Sequence, residues 1–373
     1  PLLITTGADE ALPYLISDTF AYKAKDNGTV IEKTDDYMVV EYKNGNHEFI
    51  DLKEEVEKNS SSGFFVTLKL DSDLKVGSKV KKDQIIAYDK SSFSNGVGYD
   101  TENIAYKIGP LRKFAILYTD EGFEDSAIIS KDMSDAMTVD IVLKKPIVLP
   151  KETNVYNLVK KGDKINEGDP LLIIQNGFED EETSQLLRNL IDDEEDITEL
   201  GRRPIRSSVT GWIQDIVISR TVDVDELSPS LKKIVNAYEK DIKNTKKKME
   251  EYNIEDTSNL PATYKLPATG KLKNCEDGVL IEIYMKYRDK MSVGDKLIYY
   301  SALKGVVKDI FPEGLEPTSE FRPNEKIHSM LSVSGVVKRM TGAVLINSVI
   351  NKGLIELSRK VKDMLDIPYD DNL

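Results

Sequence analysis

Two lysines, Lys296 and Lys304, stand eight residues apart in the segment V-G-D-K-L-I-Y-Y-S-A-L-K-G-V-V-K, residues 293–308. Lysine carries a compact positive charge on a flexible stem and binds phosphate as a point charge. β-formers surround the pair: Leu297, Ile298, Tyr299 and Tyr300 lie between, and Val306 and Val307 follow. On one regular strand the even spacing puts both side chains on the same face. Eight residues also allow the chain to turn back and bring both ammonium groups over one anion. By pattern alone, the pair equally matches solvated lysines flanking a Gly-Asp turn. A second candidate is the pair Glu124 and Asp125, in T-D-E-G-F-E-D-S between the apolar runs 114–118 and 127–130. Adjacent side chains on an extended chain point opposite ways, so these carboxylates are expected to do different jobs. A carboxylate raised on a loop by rigid strands is a common functional placement, and a solvated acidic turn is the alternative. The third candidate is Lys338 with Arg339, in S-G-V-V-K-R-M-T ahead of a predicted helix at 342–363. Cations at a helix N-terminus oppose the macrodipole unless an anion sits there. An ordinary surface arginine is the competing reading.

The elements that would position these groups are mostly strands. Runs at 29–32, 37–42 and 48–52 flank Asn44-Gly45, a strong hairpin signal. L-K-V-G-S-K-V-K-K-D-Q-I-I-A at 74–87 recurs as V-K-K-G-D-K-I-N-E-G-D-P-L-L-I at 159–173, with a partial echo, M-S-V-G-D-K-L-I, at 291–298. Gly77, Gly162 and Gly168 supply tight turns for small folded-over β units. Lipoyl and biotinyl carrier domains use similar turns. They also need a modifiable lysine at a hairpin tip, usually flanked by Met or Ala, and neither full copy has one. The tetrapeptide G-F-E-D occurs again at 177–180, but there it runs into ten carboxylates against one cation, Arg188, between 179 and 199. So dense a charge must face solvent, and Glu179 and Asp180 are given no chemistry. One long helix is predicted at 228–253, with Ser228 as cap and Pro229 first. Leu231, Ile234, Val235, Tyr238 and Ile242 form its apolar stripe. Its lysine- and glutamate-rich remainder predicts a projecting helix or half a coiled-coil hairpin.

With 373 residues, 40% hydrophobic and 31% charged, the chain is large enough for two or three globular domains. A net charge of −14 argues against a uniformly basic nucleic-acid binder. The charge is segregated, however: six cations (Lys286, Arg288, Lys290, Lys296, Lys304, Lys308) face only Asp289 and Asp295 between 286 and 308. A local basic groove therefore remains open. The single cysteine, Cys275, and two histidines, His47 and His328, exclude a disulfide framework and a histidine-rich zinc site and fit a reducing compartment. No run approaches the ~20 apolar residues of a membrane helix, and no secretory signal is evident.

Several motifs together resemble one family. G-F-E-D-S-A-I-I-S at 122–130 resembles the acidic-pair signature N-F-E-D-[AS]-I-[LV]-[VI]-S of the β subunit of multisubunit, bacterial-type DNA-directed RNA polymerases. V-G-D-K…L-K-G-V-V at 293–307 resembles its G-D-K-x-[AS]-x-R-H-G-x-K-G, with the same lysine spacing. S-G-V-V-K-R-M-T-G at 334–342 resembles P-x-G-[VI]-P-S-R-M-x-x-G, and P-L-L-I-T-T-G at 1–7 resembles [KR]-P-L-V-G-T-G. The four occur in family order and span nearly the whole chain. The resemblance implies a mainly β, α+β multidomain chain with a double-psi β-barrel assembled from two separated segments and inserted flap and hybrid-barrel modules. It divides the chain into a hybrid-barrel region (1–105), a first barrel piece (106–135), a flap-like insertion (136–269), a second barrel piece (270–345) and a C-terminal helix and tail (346–373). Glu124 and Asp125 would lie near a second Mg²⁺, whose principal ligands belong to the β′ partner. Lys296 and Lys304 would hold the RNA 3′ end and the nucleotide phosphates, and Lys338 and Arg339 would bind RNA or NTP, with Arg339 neutralising the triphosphate. Implied partners are the β N-terminal portion, β′ or its fragments, DNA template, nascent RNA, NTPs and a promoter-specificity factor, with no membrane. Activity is expected only in the complex, in the cytoplasm of an infected bacterium or in a virion if the chain is a split β of a giant bacteriophage, as its start at Pro1 would suit. One departure stands out: the family's Arg-His stretch is Y-Y-S-A-L here, at 299–303. A non-catalytic nucleic-acid scaffold with a degenerate barrel is the alternative.

Overall fold

The computed structural model describes residues 8–58, 65–95, 104–107, 109–118, 124–175, 202–252, 261–264, 278–299, 303–338 and 342–367. Outside this set fall the opening P-L-L-I-T-T-G, Gly122 and Phe123, the acidic 179–199 stretch, Cys275, residues 300–302 and Arg339. The chain is mixed α/β with sheet predominating, divided among several small sheets. In the N-terminal region the strands His47–Asp51, Tyr37–Tyr42, Gly28–Lys33 and Lys79–Val80 form one antiparallel sheet in that order. The predicted hairpin is present, closed at Gly45 with φ +82°. A short helix spans Ala8–Leu15.

The largest core belongs to a six-stranded sheet. Its central ladder pairs Val139–Pro150 with Gly278–Asp289 over twelve residues, from Val139↔Asp289 to Pro150↔Gly278. Ile147, Leu149, Leu171, Ile213, Ile281 and Ile283 pack in this core. Residues 278–289, expected to open the second barrel piece, therefore lie in the sheet of the insertion. The strands Glu55–Lys58 and Phe65–Leu68, from the expected N-terminal region, join the same sheet.

The long helix spans Pro229–Glu251, with the Ser228 hydroxyl accepting from the Leu231 N–H. Leu231, Ile234, Val235 and Tyr238 pack on the large core as the stripe predicts. The far end does not project as expected. Lys248 donates to the Tyr37 hydroxyl at 2.9 Å and Tyr252 donates to Glu32, which pins the helix to the N-terminal sheet. Charge ties the modules together elsewhere too. Lys286 Nζ lies 2.5 Å from Glu54 and 3.0 Å from Asp140, and Gln214 donates to Glu54 at 2.6 Å. Lys286→Met leaves Glu54 in a largely buried site without its cation, while Asp140 keeps Arg288. We expect a loss of about 3 kcal/mol in urea denaturation.

The internal echo in the sequence is a structural repeat. At Gly77 (φ +90°) the N–H donates to the Val30 carbonyl, and the Val30 N–H returns to Ser78. Gly162 makes the same clasp with Ile213, Gly168 with Ser207, and Gly294 with Val307. Asp83 (φ +63°) makes it with Ala24. Glycine reaches this left-handed backbone without a Cβ penalty, and aspartate is among the few others that tolerate it.

The third assembly is a five-stranded half-barrel sheet in the order Phe114–Leu117, Ser329–Ser332, Ser126–Ser130, Leu303–Phe311, Lys296–Tyr299. Two of its pairings are parallel: Phe114–Leu117 with Ser329–Ser332, and Ser126–Ser130 with Leu303–Phe311. It is thus interleaved from two separated segments. Ala127, Ile129, Leu297, Leu303, Val307 and Leu331 fill its core. His328 stands where the segments meet: its Nδ1 accepts from the Lys113 N–H at 3.4 Å and its carbonyl from the Ser130 N–H at 2.7 Å. Burial, with Arg112 and Lys113 close by, pushes its pKa below the ordinary histidine value. The unfolded chain takes up this proton near pH 6.5 and the folded chain only below it. Stability should therefore fall as pH drops through that window, then level off once the folded imidazole is also charged. The difference in melting temperature between wild type and His328→Gln, followed from pH 8 to 5, should change in that sense. Among the described residues no helix is long and apolar enough to cross a membrane.

Candidate phosphate-binding site

The lysine segment turns back on itself. After Gly294 (φ +99°), Lys296–Tyr299 pairs antiparallel with Leu303–Phe311, Lys296 opposite Val306 and Ile298 opposite Lys304. Leu297, Tyr299, Leu303 and Val307 alternate into the core, which leaves Lys296, Ile298, Lys304 and Val306 on the exposed face. Of the two arrangements open from the sequence, the hairpin is the one adopted. It makes the lysines diagonal neighbours, with stems on the order of 7 Å apart. Both ammonium groups can reach one polyphosphate from there. At the two ends of the Y-Y-S-A-L stretch, Tyr299 and Leu303 are core residues. Burial raises the Tyr299 phenol to about 12, and its hydroxyl is hydrogen-bonded to Ser329.

Ser126–Ser130 runs parallel beside this hairpin, and the acidic pair sits at its entrance. Asp125 holds a left-handed backbone with φ +58°. Its carbonyl accepts from the Val306 N–H at 2.7 Å. On the other side is the buried Gly335 of the short helix Val333–Val337, where a Cβ would stand 3.3 Å from the Asp125 nitrogen. Glu124 instead reaches outward and forms an ion pair with Lys338. The two neighbours make different contacts, although Asp125 is left-handed rather than extended, so strand alternation is not the cause.

The structure thus brings Glu124, Asp125 and Lys338 together at the edge of the strand that carries Lys304. Arg339 lies outside the described residues. Lys338 lies four residues before the helix Gly342–Met364. Lys338 is the C-cap of Val333–Val337, so its charge suits the helix end it closes. The case for an anion there rests instead on its contact with Glu124. That pair is exposed, at 68% for Lys338 and 38% for Glu124, and such pairs contribute at most about 1 kcal/mol. Glu124→Gln should therefore strengthen binding of inorganic tripolyphosphate to the chain by up to about fivefold, read by titration calorimetry at low salt.

The metal expectation has limited support in the donor set. Among the described residues no group of three or more His, Cys, Asp or Glu side chains could hold a metal ion. Mg²⁺ takes near-octahedral oxygen coordination. Here Glu124 is engaged by Lys338, and the Asp125 carboxylate lies about as close to Gly335 as its backbone does. These residues do not form a Mg²⁺ site by themselves.

Sequence reasoning missed Gly335, Gly305 and the backbone of Val306, which give the acidic turn its seat. Gly305 would place a Cβ 3.4 Å from the Asp125 carbonyl oxygen. The available signal was Gly305 beside Lys304 and Gly335 three residues before Lys338. No protein-family model matches the chain, and no curated protein does.

Proposed function

We propose that the chain is the C-terminal portion of a β-like subunit of a multisubunit DNA-directed RNA polymerase, active only within the complex. The observation that carries this reading is the parallel pairing of Ser126–Ser130 with Leu303–Phe311. It joins the Glu124–Asp125 turn to the Lys296–Lys304 hairpin across 171 positions, counted from Asp125 to Lys296. In this reading the half-barrel is part of a double-psi β-barrel. Lys296 and Lys304 hold the RNA 3′ end and the phosphates of the incoming nucleotide. Lys338, once released from Glu124, and Arg339 offset charge on the triphosphate. Phosphoryl transfer needs chiefly positioning and charge neutralisation, which ammonium and guanidinium groups on a rigid sheet supply. Mg²⁺ would polarise the reacting phosphate; its principal ligands would lie on the β′ chain, with Glu124 near it.

A second reading, a nucleic-acid scaffold with a degenerate site, is favoured by one observation. The stretch that carries Arg and His in the family is anchored here by two core residues, Tyr299 and Leu303. Affinity purification of the tagged chain from its source tests the assembly. Chains supplying the first half of β and a β′ aspartate triad should co-purify. A stable monomer without partners, or nucleotide incorporation by the isolated chain with Mg²⁺, would overturn the proposal.

A further inference from the structure

Asp125 resembles a second catalytic carboxylate in the sequence, but its surroundings assign it another role. We infer that Asp125 is a positioning residue: its left-handed backbone locks the hairpin of Lys296 and Lys304 to the helix of Lys338. This rests on the polymerase reading for its effect on catalysis, but not for its effect on structure.

Three observations carry it. First, φ at Asp125 is +58°, one of three non-glycine residues with positive φ among those described. L-residues adopt this conformation at a cost, with Gly, Asn and Asp the most tolerant. Second, the peptide is held from both sides. Its carbonyl accepts from Val306, the residue after Gly305, and Gly335 closes on its nitrogen at 3.3 Å from the position of a Cβ. Both glycines are buried. Third, the left-handed twist ends where the parallel ladder begins, at Ser126↔Val306. Undoing it would re-aim the strand entrance and carry Glu124 away from Lys338. Lys304 lies two residues before Val306 and Lys338 three after Gly335, so one peptide sets the spacing of both cations. A turn used for its backbone would accept any side chain that tolerates positive φ.

The two roles predict different orders among substitutions. If Asp125 positions, Asp125→Gly and Asp125→Asn keep the single-nucleotide addition rate of the reconstituted complex within fivefold, while Asp125→Val loses at least tenfold. If the carboxylate is catalytic, Gly and Asn lose as much as Val. A loss of fivefold or more in both Gly and Asn overturns the inference, whether or not the Val variant folds. Hydrogen exchange at the Val306 amide in the isolated chain supplies a readout independent of catalysis. It should be unchanged in Asp125→Gly and at least tenfold faster in Asp125→Val or Gly335→Ala. Equal protection in all three overturns the structural half. Lys296→Ala/Lys304→Ala measured in the same complexes separates the two proposals. If that double variant is fully active, the phosphate-binding role of the two lysines fails and the scaffold reading is favoured, while the exchange result still decides the role of Asp125.

Discussion

Replacing both Lys296 and Lys304 by alanine in the reconstituted complex should slow nucleotide addition well over tenfold, more than about 1.4 kcal/mol of transition-state stabilisation. The two ammonium groups are diagonal neighbours on one exposed face, so a bound polyphosphate would contact both. Removing one leaves the other able to shift toward the anion, because lysine is flexible. Single variants should therefore lose less than half of the double's effect on a logarithmic scale. Both side chains are outside the core, so the melting temperature should stay within a degree or two of wild type. A loss below tenfold in the double variant favours the scaffold reading. Stopped-flow measurement of the first addition on a preassembled primer–template separates this from promoter effects.

Ile283→Ala should cost about 4 kcal/mol, the largest stability effect expected from a single substitution here. Ile283 is fully buried at the middle of the twelve-residue ladder, pairing with Lys145 on one side and Ile216 on the other. A deletion there opens a void between two long strands that cannot close without shifting both ladders, so the site can relax little. Set against a typical domain stability of about 5–15 kcal/mol, the loss would leave this sheet marginal at 37 °C. The midpoint in chemical denaturation should fall with an unchanged slope. A loss under about 1.5 kcal/mol would mean that the core is far looser than its burial implies.

Local features of this fold were legible in the sequence where chemistry is local. The Asn44-Gly45 hairpin, the Ser228-Pro229 helix start and the turns at Gly77, Gly162 and Gly168 each follow from backbone demands that few residues meet. The Asp83 turn was not legible, because aspartate fills a position held by glycine in its four counterparts. Partnership between distant strands was the larger gap. Nothing in G-V-L-I-E-I-Y-M-K-Y says that residues 278–289 pair with 139–150 rather than joining the lysine hairpin. The strand is buried on both faces over most of its length, so no alternation marks a partner. At the site, alternation did not apply to Glu124 and Asp125, because Asp125 is left-handed; their different contacts depend on Gly335, Val306 and Lys338. The short helix Val333–Val337 was also invisible. Its sequence, V-S-G-V-V, has poor helix propensity and is held by its surroundings.

The interleaved half-barrel sets a timetable for the ribosome. Ser126–Ser130 emerges long before the hairpin it must pair with, and at about 5–20 residues per second the wait is on the order of ten to thirty seconds. Throughout it, the apolar strand of Ala127, Ile128 and Ile129 has no permanent neighbour. The ladder between Val139–Pro150 and Gly278–Asp289 can zip first and deliver Lys296 close to its destination, shrinking the entropy of the final closure. Translation pauses or holdase chaperones acting between those two moments would then govern the yield of competent protein more than its equilibrium stability does.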